Sequence, residues 1–228
     1  VAAAVRQGQP LVSARGKETG MQIAILGATG GIGGHLLAWA LESGHSVHAL
    51  GRHPGALPPR PGLTVTGGDA LDAAAVAEVI AGAGAVLSAL GPRGARAPSG
   101  LLGGSAPNIV GAMRKTGAQR LICVSAAGAY ITGDPNMGWL FRAILPRVFA
   151  KPFADTRQME NVIRESGLDW TLVRATRLVN RPGTGQYRVS PDYPPPGGRT
   201  IARADVAHFI AAALTENAWL HAAPALAY

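Results

Sequence analysis

Three glycines, Gly27, Gly30 and Gly33, follow the apolar run Ile23–Leu26 at G-x-x-G-x-x-G spacing, and an apolar helical pattern begins near Ile32. A strand that feeds a tight turn into a helix aims backbone N–H groups and a helix N-terminus at one point, and that point suits a pyrophosphate. In this reading Gly27 permits the turn, Gly30 lets the backbone approach the phosphates, and Gly33 lets the helix lie close to the strand. A bare glycine pattern marks many ordinary turns. The strand before this one and the helix after it are what point to a dinucleotide.

The next apolar run, Ser46–Leu50, ends in Gly51 and Arg52. A site for NAD places an acid here, against the ribose 2′-hydroxyl. Arg52 offers a cation to a 2′-phosphate instead and favours NADP(H), although an arginine after a strand is also an ordinary surface residue. His53 stands beside it. In the run GGDAL, Asp69 either bonds the adenine amine or caps the following helix, with Asp72 competing for the cap. Further on, Leu90 and Gly91 are expected along the middle of the cofactor, and Arg93 at a phosphate or the substrate.

Ser125 closes the apolar run Arg120–Ser125, so its hydroxyl is expected in the crevice, as a substrate or nicotinamide contact or as a cap. Tyr130 is a candidate proton donor or a packing aromatic, and Arg177 binds an anionic group or bridges to backbone carbonyls. Four residues after Tyr130 stands Asp134, and the chain has no Tyr-x-x-x-Lys. This argues against a standard carbonyl reductase or sugar epimerase. It leaves open the reduction of flavins or quinones, which take a hydride into a conjugated system while water or a modest donor supplies the proton. No histidine pair has metal-ligand spacing backed by carboxylates, so no metal is expected. The single Cys123, inside LICVS, reads as a buried inert thiol and forbids an internal disulfide.

These residues need elements to hold them. Candidate strands are 22–26, 46–50, 63–66, 85–89, 120–125 and 170–174; candidate helices are 32–43, 71–81, 104–116, 154–166 and 203–215. Short apolar strands alternating with helices predict an α/β, doubly wound Rossmann fold: a mostly parallel sheet in the order 3-2-1-4-5-6, flanked by helices, with the crevice at the strand C-terminal ends. Irregular stretches at 91–103, 126–153 and 177–200 fall at those ends and are the expected substrate loops. Within them, 137–153 (MGWLFRAILPRVFAKPF) is apolar with Arg142, Arg147 and Lys151 interleaved, and reads as a short packed helix, a lid or a dimer contact.

At 228 residues with 47% hydrophobic and 15% charged, the chain fits one globular domain, taken as 21–228. Residues 1–20 carry no periodic pattern and precede Met21; they read as a disordered extension and a poor secretory signal. Their net charge is +2, leaving about +6 of the total +8 on the rest. The arginines are scattered and aromatics are only 5%, so phosphates of a cofactor and an anionic substrate explain the excess better than nucleic acid. No apolar run reaches the ~18–20 residues of a membrane span. The expected setting is cytoplasmic, as a monomer or weak homodimer that acts on a small molecule, with no nucleic-acid or membrane partner.

Taken together, GATGGIG, Arg52, GDALDAAAV, ALGPR, PNIVGAMRKTGAQRLICVSA, MENVIRESGLDWTLVRATRL, GQYRV and ARADVAHFIAAALT resemble the NAD(P)H-binding, NmrA-like group of atypical short-chain dehydrogenases/reductases. Within it the chain is most similar to the biliverdin reductase B, or flavin reductase, branch, from Met21 to Tyr228. The resemblance implies an NADPH-dependent reductase that passes hydride to a flat conjugated acceptor such as a flavin or bilin. It also implies that Gly27, Thr29, Gly30, Ile32 and Gly33 cradle the pyrophosphate, that Arg52 holds the 2′-phosphate, and that Asp69 and Ala70 meet the adenine. Leu90, Gly91 and Arg93 would follow the cofactor, Ser125 would sit near the nicotinamide, and Ala175, Thr176 and Arg177 would meet its carboxamide side. The chain departs from that branch in three places: Ala56 replaces a second basic residue, Ala175-Thr176-Arg177 replaces Pro-Pro-His, and the loop 126–153 differs. Two other readings fit the missing Tyr–Lys pair: an NmrA-like sensor that binds NAD(P) without turnover, and a tailoring ketoreductase, dehydratase or isomerase of secondary metabolism.

Overall fold

The run QIAIL forms the first strand, β1 (Gln22–Leu26), and its side chains alternate between two cores. Ala24 and Leu26 enter one, Ile23 and Ile25 the other. A strand covered on both faces reads as an unbroken apolar run, which is why this one lacks the polar alternation of a surface strand. A computed structural model describes residues 20–91 and 100–228 of the chain. Apart from Gly20, the expected N-terminal extension 1–20 lies outside the described residues, and so does Arg93.

Around β1 the sheet is built from β2 (Ser46–Gly51), β3 (Leu63–Gly67), β4 (Ala85–Ser88), β5 (Arg120–Ala126) and β6 (Asp169–Ala175), in the parallel order β3-β2-β1-β4-β5-β6. This is the order expected of two βαβαβ halves. Four further short strands were not expected as a set. β7 (Arg177–Val179) and β9 (Thr200–Ala202) form a small parallel pair of their own. β10 (Pro224–Ala227) pairs parallel to β6, and β8 (Arg188–Pro191), which carries the end of GQYRV, pairs antiparallel to β10 and closes the edge.

Helices α1 (Gly31–Glu42) and α6 (Arg203–Thr215) cover one face through Leu36, Leu37, Val206 and Ile210. Helices α2 (Ala73–Ile80), α3 (Leu101–Thr116) and α5 (Ala150–Arg164) cover the other through Val76, Ile109, Met113 and Ile163. The buried Cys123 lies in that second core, and burial pushes its thiol up to about 12, so it is inert at neutral pH.

The boundaries that differ from expectation have long-range causes. α3 begins three residues before the expected Gly104 because Asp155, on α5, accepts from the Leu102 and Gly103 N–H groups at 3.1 and 2.8 Å. This caps a helix that has no side-chain cap of its own. α2 begins after Asp72, which accepts from Ala74 N–H at 2.9 Å, so Asp72 and not Asp69 is its N-cap. The expected irregular stretch 126–153 is largely helical: a 3-10 segment at Ala127–Gly133, then α4 (Trp139–Val148), then the start of α5. The expected packed helix exists, but α4 has no buried residue.

Candidate functional site

The turn after β1 can be made only of glycine at two points. Gly27 has φ +89°, and a Cβ there would stand 2.7 Å from the carbonyl oxygen of Ala89, the residue just past the neighbouring strand β4. A Cβ on Gly33 would stand 2.1 Å from the Gly27 carbonyl oxygen, so α1 presses directly against the turn. The turn is closed by Gly30 N–H donating to Gly27 O at 2.9 Å. α1 then starts with no side-chain cap and no acidic residue in its first turn. Its first N–H groups are left for an anion, which the helix dipole also favours.

These groups face a cavity of about 670 Å³ across the C-terminal ends of β1, β2, β4 and β5. Gly27, Thr29, Gly30 and Ile32 line it, while Gly33 stands behind them in its packing role. At one end lie Arg52, His53, Ala56, Asp69 and Ala70. Arg52 is exposed, and among the described residues it forms no ion pair. Asp69 accepts from Leu71 N–H at 2.9 Å, shaping its own turn at the cavity wall. Leu90 and Gly91 line the middle.

The other end is walled by Val124, Ser125 and Ala126 from β5, by Pro152, Phe153, Asp155 and Thr156 from α5, and by Leu178 from β7. Ser125 lines the cavity, but its hydroxyl proton is committed: it donates to Glu160 Oε1 at 2.5 Å. Glu160 is fully buried and is gripped by Arg174, whose Nε and Nη2 donate at 3.1 and 2.7 Å. Burial works to raise the Glu160 carboxyl, but hydrogen bonds and charge from Arg174, with bonds from Ser125 and Tyr130, outweigh it and hold it below its ordinary value. The group is therefore a carboxylate at neutral pH. Ser125 offers the cavity only its lone pairs.

Tyr130 is not brought to the cavity. Its ring lies under the Arg174 guanidinium at 3.6 Å, and its hydroxyl bonds Glu160. Burial and the Glu160 charge push it up to about 12, the opposite of a primed proton donor. The 175–177 segment is not at the cavity wall either. Ala175 is buried in the sheet core, and Thr176 donates to Leu226 O at 2.9 Å. Arg177 is exposed, its backbone N–H spent on Arg199 O. Pairing of β7 with β9 carries the chain away at this point, and Leu178 takes the wall position instead.

The NAD(P)H-binding family matches residues 27–217, from the first cradle glycine to just past α6. The chain belongs to this NAD(P)H-binding family. Among solved structures it is similar to a short-chain dehydrogenase/reductase from Veillonella parvula DSM 2008 in complex with NADP, at 25% identity, 91% of this chain, 94% of that one and a TM-score of 0.75. It is also similar to ChuY, an anaerobillin reductase from Escherichia coli O157:H7, at 25% identity, 90% of this chain, 96% of that one and a TM-score of 0.74. The cradle fits the family's cofactor: two glycines that a Cβ would close, an uncapped helix start and an arginine without an acid partner surround one cavity. Among the described residues no group of histidine, cysteine, aspartate and glutamate side chains is placed to hold a metal ion, and no helix is long and apolar enough to cross a membrane.

Sequence reasoning missed Arg203. It opens α6 and lines the cavity, with its side chain lying flat on Gly31, where a Cβ would stand 2.4 Å from Arg203 Cδ. Its Nη1 donates to Asn180 Oδ1 at 2.6 Å, and among the described residues it forms no ion pair. The signal was the second glycine of the GG pair: Gly30 serves the turn, and Gly31 makes room for an arginine arriving from 172 residues further along.

Proposed function

We propose that the protein is an NADPH-dependent reductase that delivers hydride to a flat conjugated acceptor such as a flavin, quinone or bilin. The observation that carries this reading is the cavity itself: the glycine cradle, the unpaired Arg52 and the Ser125 wall share one continuous space. In it Gly31 and Ile32 present the first N–H groups of α1 to the pyrophosphate, while Gly30, its own N–H closing the turn, lets the backbone approach. Arg203 supplies a cation above them. Arg52 meets the 2′-phosphate and gives the preference for NADP(H) over NAD(H), while Asp69 and Ala70 bound the adenine pocket. NADPH, when bound, supplies the hydride.

At the acceptor end the protein contributes placement. Ser125, its proton held by Glu160, accepts a hydrogen bond and orients an N–H of the nicotinamide carboxamide or of the acceptor. Phe153, Leu178 and Pro152 offer apolar walls against a flat ring and hold it in near-attack geometry. Among the described residues no side-chain hydroxyl on this wall is free to protonate an alkoxide, since Thr156 donates to Pro152 O as Ser125 does to Glu160, which suits acceptors that draw their proton from water. The similarity to an anaerobillin reductase over nine-tenths of the chain supports a bilin-like acceptor within this class. The reading includes a cytoplasmic setting, a small-molecule substrate, no nucleic acid, and a monomer or weak homodimer.

The same committed Ser125 proton and displaced Tyr130 favour a second reading, an NmrA-like sensor that binds NADP(H) without turnover. Loss of NADPH absorbance over a panel of flavins, quinones and bilins separates the two. The reductase reading expects turnover with at least one panel member, and tight NADPH binding with none throughout overturns it in favour of the sensor.

A further inference from the structure

Helix α4 is built inside out for a helix on a globular domain. Leu140, Phe141, Ile144 and Val148, at i, i+1, i+4 and i+8, form one stripe on its surface, and they are 50%, 56%, 49% and 67% exposed. The side turned to the domain is the half-buried Ala143, Leu145 and Pro146. Trp139, 79% exposed, stands at the start of the helix, and Phe149 follows its end. A contiguous apolar surface of this kind marks a contact. Its surroundings are cationic: Arg142, Arg147 and Lys151 are exposed, no acid stands between Asp134 and Asp155, and among the described residues the three form no ion pair. Of the two flanking acids, Asp134 is buried and Asp155 is spent on the start of α3.

We propose that α4 docks the protein reversibly on an anionic lipid surface. The stripe sits at the headgroup–acyl boundary with Arg147, at its edge, and Lys151, just past the helix, on the lipid phosphates; Arg142, on the far side of the helix, adds only to the positive field. Apolar and aromatic residues on one side of a helix with arginine and lysine around them are the composition of an interfacial helix, and long basic side chains can reach up from its edges to the headgroups. A second copy of the chain is the poorer occupant, since stripe-to-stripe packing brings these cations against their own copies in a protein of net charge +8. Docking also has a consequence for the cavity. Phe149 packs on Phe153, 5.5 Å between ring centroids, and Phe153 lines the acceptor end. A bilayer-seated α4 therefore brings that end beside the membrane. The proposal rests on α4 and on Lys151 just after it, replaces the expectation of no membrane partner with a reversible surface contact, and holds whether or not the cavity turns over NADPH.

The test is flotation of the full chain with vesicles of phosphatidylcholine alone and of phosphatidylcholine mixed with phosphatidylglycerol. The wild type is expected to float with the mixed vesicles and not with the neutral ones. Phe141→Ser combined with Ile144→Ser should lower the bound fraction about tenfold or more, because affinity scales with the apolar area inserted. NADPH affinity and the melting temperature should stay unchanged in that variant, as both side chains are exposed. No flotation, equal flotation with both vesicle types, or full binding by the variant overturns the proposal. So does a concentration-dependent dimer that the variant abolishes, which would assign the stripe to a second copy.

Discussion

Ser125 has its chemistry set by a residue that never meets the cavity. Glu160 accepts the hydrogen bond of its hydroxyl, and Arg174 keeps Glu160 charged in a fully buried position. The folded-state pKa of Glu160 lies below its unfolded value, so its contribution to stability is present above the ordinary glutamate value of about 4.3 and is lost as pH falls through the folded value. Asp205, where burial is outweighed by bonds from Tyr228, Gly185 and Thr184, is lowered too and acts in the same direction. Glu160→Gln leaves the Arg174 guanidinium buried without its anion and should cost about 3–5 kcal/mol at neutral pH. The gap to wild type should shrink as pH drops below about 4. Urea unfolding across a pH series checks this, and a gap that stays constant into acid would mean that Glu160 is not held as the carboxylate.

Among the elements, the β1–turn–α1 unit depends on contact too close for any side chain. Gly33→Ala places a Cβ 2.1 Å from a backbone oxygen of the turn, so α1 must move. The expected result is a loss of about 1–3 kcal/mol, as for other overpacked sites, together with weaker NADPH binding. Gly111, mid-helix in α3 with nothing within 4 Å of its Cβ position, is the counterpart, and Gly111→Ala should stabilise by about 0.5–1 kcal/mol without touching the cofactor. Urea unfolding and NADPH titration of the two variants check the contrast, and equal behaviour would remove the packing argument. The same contrast explains what was legible beforehand. β1, its turn and α1 are written in consecutive residues, and so are Arg52 and the Asp72 cap. The start of α3 depends on Asp155 more than fifty residues later, Arg203 arrives from the far end of the chain, and the fate of Tyr130 depends on Arg174. No local pattern encodes such pairings. Nor does periodicity tell whether the apolar side of α4 faces the domain or the solvent.

For the whole molecule, the strand order β3-β2-β1-β4-β5-β6 brings the ends of β1, β2, β4 and β5 to one cavity, so residues 27 and 125 line the same space. β10 and β8 extend the sheet past the expected edge, and Tyr228 locks the chain end by donating to Asp205 at 2.5 Å. With an NAD(P)H-binding family match from 27 to 217, dinucleotide binding is the property of this architecture, and the proposed choice of NADP(H) over NAD(H) rests on Arg52. The most direct measurement is the affinity of wild type and Arg52→Ala for NADPH and for NADH. Removal of a charge-assisted contact worth about 1.5–3 kcal/mol should weaken NADPH about ten- to a hundredfold and leave NADH within about twofold. Equal losses for both cofactors, or none for either, would contradict an NADP site at the end of β2.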